Sequence, residues 1–286
     1  MIHFVTALRA EADPLIDALG LVADEGVTGF RVFRGDEACL TVSGIGRVAA
    51  AAATAHLRGI AADVEAVWLN VGVAAHRDLP IGAAVVAHKI VEAASGRSWY
   101  PQLVEEPGLP TATVETVDRA VGRPAEERAY DMEASGFYAT ALRWATAECA
   151  GCLKVISDHG IEAGTKLSHR LVRRLVADRL DEIVAFGGAL RRLRALGPTS
   201  GPTEELTPIL ERWRFTATQR HQLRRLAVRA RSLGFELERL QTSRLASSRE
   251  LLRSLERHLD RIALQAPIGE PWGRSSTHDE AGGGGP

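Results

Sequence analysis

Short apolar runs that alternate with helix-forming segments are the feature that most restricts how this chain can fold. Four of these runs contain β-branched residues and predict buried strands, at 2–7, 66–72, 82–93 and 153–160. Two shorter runs predict a pair of strands around a turn, at 30–35 and 38–44. Helices are predicted between the strands, at 10–20 and 45–60. Strands that alternate with helices predict an α/β fold, in which a mostly parallel sheet is covered on both faces.

Polar or glycine residues directly follow four of the predicted strands. They lie at Leu8–Glu11, Ser43–Gly46, Asn70–Gly72 and Ser157–Asp158. Ligands of open α/β sheets bind beyond the carboxyl ends of the strands, so we expect these segments to meet in one cleft. Each segment alone is a weak signal, since a G-x-G such as Gly44–Gly46 is a common turn.

The composition of the 286-residue chain changes after residue 195. Residues 1–190 carry 18 basic and 25 acidic side chains, whereas residues 191–265 carry 16 arginines, no lysine and 8 acids. The change predicts four segments: a domain over 1–195, a Pro/Gly/Ser/Thr linker over 196–208, a helical arginine-rich extension over 209–265, and a disordered tail over 266–286.

The arginine-rich extension has two interpretations. Its arginines can neutralise phosphates, which allows a nucleic-acid partner. The interspersed acids and the few aromatic residues instead favour a solvated helical hairpin or an oligomerisation arm. Its apolar residues are too many for a solvated tail and should be buried, among them Trp213, Phe215, Leu223, Leu226, Leu233 and Leu237.

The three cysteines predict no metal site. Cys149 and Cys152 have C-x-x-C spacing, but no second pair of ligands follows, and both are interpreted as small core residues. No cofactor is expected. The first residues lack a basic segment followed by a long apolar run, and no stretch is apolar enough to span a membrane, so we expect a cytoplasmic protein.

Segment 129–144, "AYDMEASGFYATALRW", predicts a helix with small residues on its packing face. Asp131 and Glu133 flank Met132 at the start of this helix. Acidic residues in a first turn can simply act as caps and interact favourably with the helix dipole. The alternative is that these carboxylates face a ligand.

Five segments in this order resemble the nucleoside phosphorylase superfamily, in its branch with methylthioadenosine/S-adenosylhomocysteine nucleosidases. They are "VTALRAEADPL", "VSGIGRVAAAAA", "LNVGVAAHRDLPIGAAVVA", "YDMEASGFYATA" and "LKVISDHG". The resemblance covers about residues 1–190. It implies a three-layer α/β/α fold, a dimer or larger oligomer, and cleavage of N-glycosidic bonds.

The resemblance also implies roles for individual residues. Met132 would pack on the ribose, and Glu133 would accept hydrogen bonds from its 2′- and 3′-hydroxyls. Asp158 would protonate the purine N7 as general acid, and Glu11 would orient or deprotonate the attacking water. Lys154 stands where the hydrolases usually have an arginine, and it joins the predicted catalytic set. Further substrate contacts are expected from Ser157, Asn70, Gly72 and Gly44.

The sequence leaves the acceptor, the base pocket and the class of function open. Phosphorolytic relatives carry an arginine at the position of Glu11, and a shifted register would place Arg9 there. The segment that supplies the base pocket is shortened, and neither Trp99 nor Tyr100 aligns with the stacking aromatic of the relatives, although "TVETVDRAV" resembles the strand that lines this pocket. The expected function is hydrolysis of a purine nucleoside, with adenine as the expected base. The alternatives are a phosphorylase and a non-catalytic nucleoside- or nucleic-acid-binding protein.

Overall fold

The computed structural model divides the chain into two units, Met1–Ser200 and Gly201–Pro286. The residues that it describes are 1–61, 65–104, 108–122, 124, 126–160, 167–196, 203–237 and 245–265. The boundary between the units falls inside the segment 196–208 that the sequence predicts as a linker.

A mixed sheet forms the centre of the first unit. Its strands are β1 (Ile2–Thr6), β2 (Val22–Ala23), β3 (Arg31–Arg34), β4 (Ala38–Val42), β5 (Val67–His76), β6 (Ala84–Glu92), β7 (Ser98–Trp99), β8 (Thr111–Thr116), β9 (Ala129–Asp131) and β10 (Ala150–Asp158). Strands β4, β1, β5 and β10 pair in parallel. The sheet then closes on itself, because β10 pairs with β6, β6 with β8, β8 with β9, and β9 returns to β5. The parallel core agrees with the prediction, while β2, β3, β7 and the closing pairs β10–β6 and β5–β9 add antiparallel pairings.

Helices cover both faces of this sheet. They are α1 (Arg9–Leu19), α2 (Arg47–Ile60), α3 (Ala134–Ala141), α4 (His169–Ala177) and α5 (Leu180–Leu196). Successive strand residues point to opposite faces, so Phe4 packs in one core with α1, α4 and α5, whereas Val5 packs in the other with α2 and α3. The predicted three-layer α/β/α fold is therefore confirmed.

The parallel register brings several strand ends to one edge of the sheet. Val5 of β1 lies opposite Asn70 of β5, and Cys152 of β10 lies opposite the same residue. The segments that follow β1 and β10 therefore emerge side by side, next to the second half of β5. This arrangement brings together Glu11, which follows β1, and Asp158, which ends β10.

The sequence predicts a helix in segment 129–144, but only part of this segment is helical in the structure. Residues Ala129–Asp131 form β9, and the helix covers only Ala134–Ala141. Because β9 pairs with both β5 and β8, sheet pairing overrides the helical pattern at the start of this segment. The carboxylate of Asp131 still caps the helix that follows, since it accepts the backbone N–H groups of Glu133 and Ala134.

The second unit contains three helices among its described residues: α6 (Thr203–Arg212), α7 (Ala217–Ser232) and α8 (Ser248–Gln265). Helix α6 begins inside the predicted linker, because Leu206 and Ile209 are buried in the core of this unit. That core also contains Phe215, Leu223, Leu226 and Leu237, with Trp213 and Leu233 packed at its edge. The predicted tail over 266–286 lies outside the described residues.

Several arginines of the second unit lie on the surface of α7. Arg224, Arg225 and Arg231 are exposed on α7, while Arg229 pairs with Asp260 of α8 at 2.7 Å. Within the described ranges of both units, no helix is long and apolar enough to cross a bilayer.

Two helical glycines allow a stability test of the packing between α2 and α3. A Cβ at Gly136 of α3 would lie 1.9 Å from the backbone oxygen of Arg47, so Gly136→Ala should destabilise the protein by at least about 2 kcal/mol. At Gly188 of α5, a Cβ would meet only the end of the Arg192 side chain at 3.7 Å, and Gly188→Ala should stabilise by up to about 1 kcal/mol. Urea unfolding curves measure both changes. Equal midpoints for the two variants would contradict this packing.

Candidate active site

A cavity of about 360 Å³ lies at the carboxyl ends of β1, β5 and β10. Its polar wall contains Glu11, Asp131, Glu133, Ser157 and Asp158, and its apolar wall includes Ile45, Val73, Val117, Ala120, Val121 and Met132. Of the four segments expected to meet in one cleft, Leu8–Glu11, Ser43–Gly46 and Ser157–Asp158 contribute residues to this cavity, whereas Asn70–Gly72 does not. A larger open depression of about 860 Å³ between α1 and α4 contains none of the predicted site residues.

The carboxylate of Glu11 is held almost entirely by backbone N–H groups. Its Oε2 accepts hydrogen bonds from Ala7 and Leu8, both at 2.9 Å, and its Oε1 accepts one from Val73 at 3.0 Å. Burial raises the pKa of Glu11, against the opposing influence of the nearby Lys154 ammonium. Glu11 therefore occupies a fixed position, and its Oε1 keeps one further acceptor position on a carboxylate of raised basicity.

Lys154 and Asp131 form a buried ion pair behind the cavity. The distance from Lys154 Nζ to Asp131 Oδ2 is 2.8 Å, and both side chains are essentially inaccessible to solvent. Burial lowers the pKa of Lys154, but Asp131 and neighbouring groups together raise it by more, so the pKa lies above its ordinary value. Asp131 Oδ1 also accepts the Thr116 hydroxyl at 2.7 Å. Lys154 does not line the cavity itself.

Glu133 projects from the start of α3 towards the beginning of α2. Its Oε1 accepts the backbone N–H of Gly46 at 2.8 Å. Burial, together with the charge of Asp131, raises the pKa of Glu133 from 4.5 to about 7. Met132 lies beside it in the cavity wall.

Asp158 lies at the end of β10 and is partly exposed to the cavity. Its Oδ2 accepts the Ser157 hydroxyl at 2.7 Å, and its Oδ1 accepts the N–H of Gly160 at 2.8 Å. Gly160 has φ +105°, and a Cβ there would lie 2.5 Å from Pro124. The loop that carries Asp158 is therefore packed closely on the segment opposite.

Three of the predicted substrate contacts do not line the cavity. Asn70 lies inside the sheet, where its amide donates to the Val5 carbonyl at 2.9 Å and its Oδ1 accepts the Cys152 thiol. Gly72 is also in β5, and a Cβ there would lie 2.9 Å from Glu11 Oε1, so this glycine leaves room for Glu11. Gly44 has φ +83° and shapes the turn before α2.

Arg9 points away from the cavity. Its Nε donates to Asp13, and its guanidinium lies 4.6 Å from the centre of the Phe33 ring. Neither Trp99 nor Tyr100 lines the cavity. Among the described residues of the cavity lining, the side chains include neither lysine nor arginine nor histidine.

The residue-by-residue predictions missed much of the apolar wall. Ile45, Val117, Ala120, Val121, Tyr130 and Leu167 all line the cavity. The sequence did indicate Val117, Ala120 and Val121, because they lie in "TVETVDRAV", which resembles a strand that lines a base pocket. In the structure the strand ends at Thr116, and the residues after it form the wall.

The cysteines agree with their predicted role. Cys39, Cys149 and Cys152 are buried and free. Burial raises the pKa of the Cys152 thiol to about 12. Within the described part of the chain, no group of His, Cys, Asp and Glu side chains is arranged to hold a metal ion.

Comparison with solved structures identifies the fold of the first unit. A methylthioadenosine/S-adenosylhomocysteine nucleosidase from Colwellia psychrerythraea 34H, in complex with adenine, matches at 20% identity and a TM-score of 0.54, over 66% of this chain and 95% of that chain. A nucleosidase of the same kind from S. pneumoniae, with a transition-state inhibitor, matches at 17% identity and a TM-score of 0.52, over 66% of this chain and 99% of that chain. A futalosine hydrolase mutant from Helicobacter pylori matches at 16% identity and a TM-score of 0.51, over 65% of this chain and 97% of that chain.

The first unit has the nucleoside phosphorylase fold. No family model matches the sequence, and no curated protein matches it. The cavity of the first unit is lined in part by the predicted residues Glu11, Met132, Glu133, Ser157 and Asp158.

The raised pKa of Glu133 predicts how stability depends on pH. Between pH 4.5 and about 7 the folded state keeps this proton while the unfolded state loses it, so stability should fall as pH rises through this interval. Glu133→Gln retains an oxygen for the Gly46 N–H but cannot ionise. Its melting temperature should therefore fall less steeply than that of the wild type between pH 5 and pH 7.5.

Thermal melts across this range measure the difference. Glu25→Gln, at an exposed position, is the control and should follow the wild-type slope. A Glu133→Gln slope equal to the wild-type slope would show that Glu133 is ionised throughout.

Proposed function

We propose that this protein hydrolyses the N-glycosidic bond of a purine nucleoside, with adenine as the base. The observation that carries the proposal is the placement of three carboxylates, those of Glu11, Glu133 and Asp158, around one partly apolar cavity. The fold that the chain shares with known nucleosidases supports the proposal, as does the resemblance of its sequence motifs to that superfamily.

Glu133 and Met132 hold the ribose in this proposal. Glu133 Oε2 is available for the sugar hydroxyls, while Oε1 is anchored by Gly46. A carboxylate accepts two hydroxyls through charge-assisted hydrogen bonds. It also stabilises the positive charge that develops at C1′ as the glycosidic bond breaks. The Met132 thioether provides an adaptable apolar surface beneath the sugar.

Asp158 acts as the general acid on the base. As the bond from C1′ to N9 breaks, its electron pair moves to the purine, and the proton of Asp158 is transferred to N7. The purine then leaves as a neutral molecule. Ser157 and the Gly160 N–H hold the two oxygens of Asp158, which fixes its orientation at the cavity. The aliphatic wall of Val117, Ala120 and Val121 gives the base an apolar surface.

Glu11 directs water to C1′. The oxygen of water forms the new bond to C1′, and its proton is transferred to the Glu11 carboxylate, which burial makes more basic. A phosphate dianion as acceptor would lie beside this carboxylate, in a wall whose described side chains include no cation. Arg9, the alternative phosphate ligand, is turned towards Asp13 and Phe33. These contacts favour hydrolysis over phosphorolysis.

Lys154 acts through other residues in this proposal. It is buried behind Asp131 and lies close to Gly72, next to Glu11. Its ammonium forms an ion pair with Asp131 and opposes the rise that burial causes in the pKa values of Glu11 and Glu133. It is therefore a positioning residue, rather than a group that touches the substrate.

We also propose that the enzyme is a cytoplasmic homo-oligomer. Three buried, free cysteines are compatible with a reducing compartment. The resemblance to a superfamily of dimers and larger oligomers supports assembly.

Base release by an Asp158→Asn variant is the most specific test of this function. Purified wild type and variant are incubated with adenosine, 5′-methylthioadenosine, S-adenosylhomocysteine and inosine, and the free base is quantified by chromatography. The variant should be about 10²- to 10⁴-fold slower on the best substrate, since it cannot donate a proton to N7. Asp36→Asn, in the exposed turn after β3, is the control and should keep full activity. Turnover by Asp158→Asn close to the wild-type rate would overturn the proposed role of Asp158.

A further inference from the structure

The apolar wall over 117–122 has no regular secondary structure of its own. Strand β8 ends at Thr116, and β9 begins only at Ala129. One backbone hydrogen bond, from the Val117 N–H to the Asp131 oxygen at 2.8 Å, anchors the start of this wall. Its end packs on the loop that carries Asp158, since Gly122 and Pro124 contact Gly160. The position of the residues between these anchors depends on side-chain contacts.

Arg47, the first residue of α2, supplies such a contact. Its Nε donates to Asp118 Oδ1 at 2.8 Å, and its Nη1 donates to Glu92 Oε1 at 2.9 Å. Asp118 lies in the wall between Val117 and Ala120, and Glu92 ends β6. A single guanidinium therefore connects the wall to both a helix and a strand. The planar guanidinium presents its N–H donors in a fixed geometry, so it holds both carboxylates in defined directions.

The backbone beside Arg47 is part of the ribose side of the cavity. The N–H of Gly46 binds Glu133, and Ile45 lines the cavity. The carbonyl of Arg47 lies so close to Gly136 that a Cβ there would be only 1.9 Å away, which locks the start of α2 against α3. The main chain next to Arg47 is thus hydrogen-bonded to the carboxylate of Glu133, while the side chain of Arg47 binds Asp118 in the wall over 117–122.

We propose that Arg47 is a positioning residue that sets the distance between the apolar wall over 117–122 and the ribose-binding carboxylate of Glu133. This inference rests on the proposed function, because it assigns the base to that wall. The ion pair with Asp118 is exposed to solvent, with 31% of the Arg47 side chain and 59% of the Asp118 side chain accessible. Exposed pairs contribute little to stability, so loss of the contact with Asp118 should affect binding more than folding. The other partner, Glu92, is less exposed, with 14% of its side chain accessible.

Steady-state kinetics and adenine binding test this role. Arg47→Ala should raise KM for the best nucleoside, and Kd for free adenine by calorimetry, by about tenfold each. The wall contacts the base equally in the ground state and in the transition state, so kcat should stay within about twofold. Asp118→Asn should show a smaller change in the same direction. The double variant should resemble Arg47→Ala alone, because both changes break the same contact.

Arg173→Ala is the matched control, since Arg173 forms an exposed ion pair of the same length with Asp17, at 2.8 Å, outside the cavity. It should leave KM and Kd unchanged. If the wild type is active and binds adenine while Arg47→Ala keeps wild-type KM and Kd, or if the effects of Arg47→Ala and Asp118→Asn simply add, this inference is wrong and the proposed function stands. A wild type that neither binds adenine nor releases a base overturns both.

Discussion

The buried ion pair between Lys154 and Asp131 is the interaction on which the rest of the site depends. Two charges taken out of water are tolerated only when they are paired and hydrogen-bonded, and Asp131 uses Lys154, Thr116 and two backbone N–H groups for this. The pair joins β10 to β9 and to the start of α3. Loss of one partner would leave a buried charge unpaired, which typically costs about 3–5 kcal/mol.

This ion pair also determines the charge of the cavity. The Lys154 ammonium lies near the carboxylates of Asp131, Glu11 and Glu133, and the pKa values of the last two are raised because the effect of burial exceeds that of the ammonium. Such a site disfavours an anionic acceptor and favours positive charge on the sugar. The same electrostatic arrangement thus accounts for both parts of the proposed chemistry, a cation-like transition state and water as the nucleophile.

The sequence predicted strands β1, β3, β4, β5, β6 and β10 because their apolar runs are short and alternate with clear helix signals. It missed the short strands β2, β7 and β9. It also predicted that Glu11, Glu133 and Asp158 lie in one cavity, through strand ends and motif order. It could not predict contacts between distant segments, such as Gly46 with Glu133. Asn70 was predicted to follow a strand, but β5 continues to His76, so its side chain lies inside the sheet and binds the neighbouring strand β1. The sequence also missed the start of α6, because Pro208 and the nearby glycines are typical of a linker. The helix is explained by the burial of Leu206 in the core of the second unit, which the sequence pattern does not show.

The acceptor of the sugar is the central claim, and product analysis tests it most directly. The wild type is incubated with its best nucleoside in phosphate-free buffer and again with phosphate, and the sugar product is identified by mass spectrometry. Hydrolysis predicts equal rates of base release in both buffers and a free sugar as the only sugar product. Base release that requires phosphate, with a sugar 1-phosphate as the main product, would contradict the account of Glu11 and of the acidic cavity.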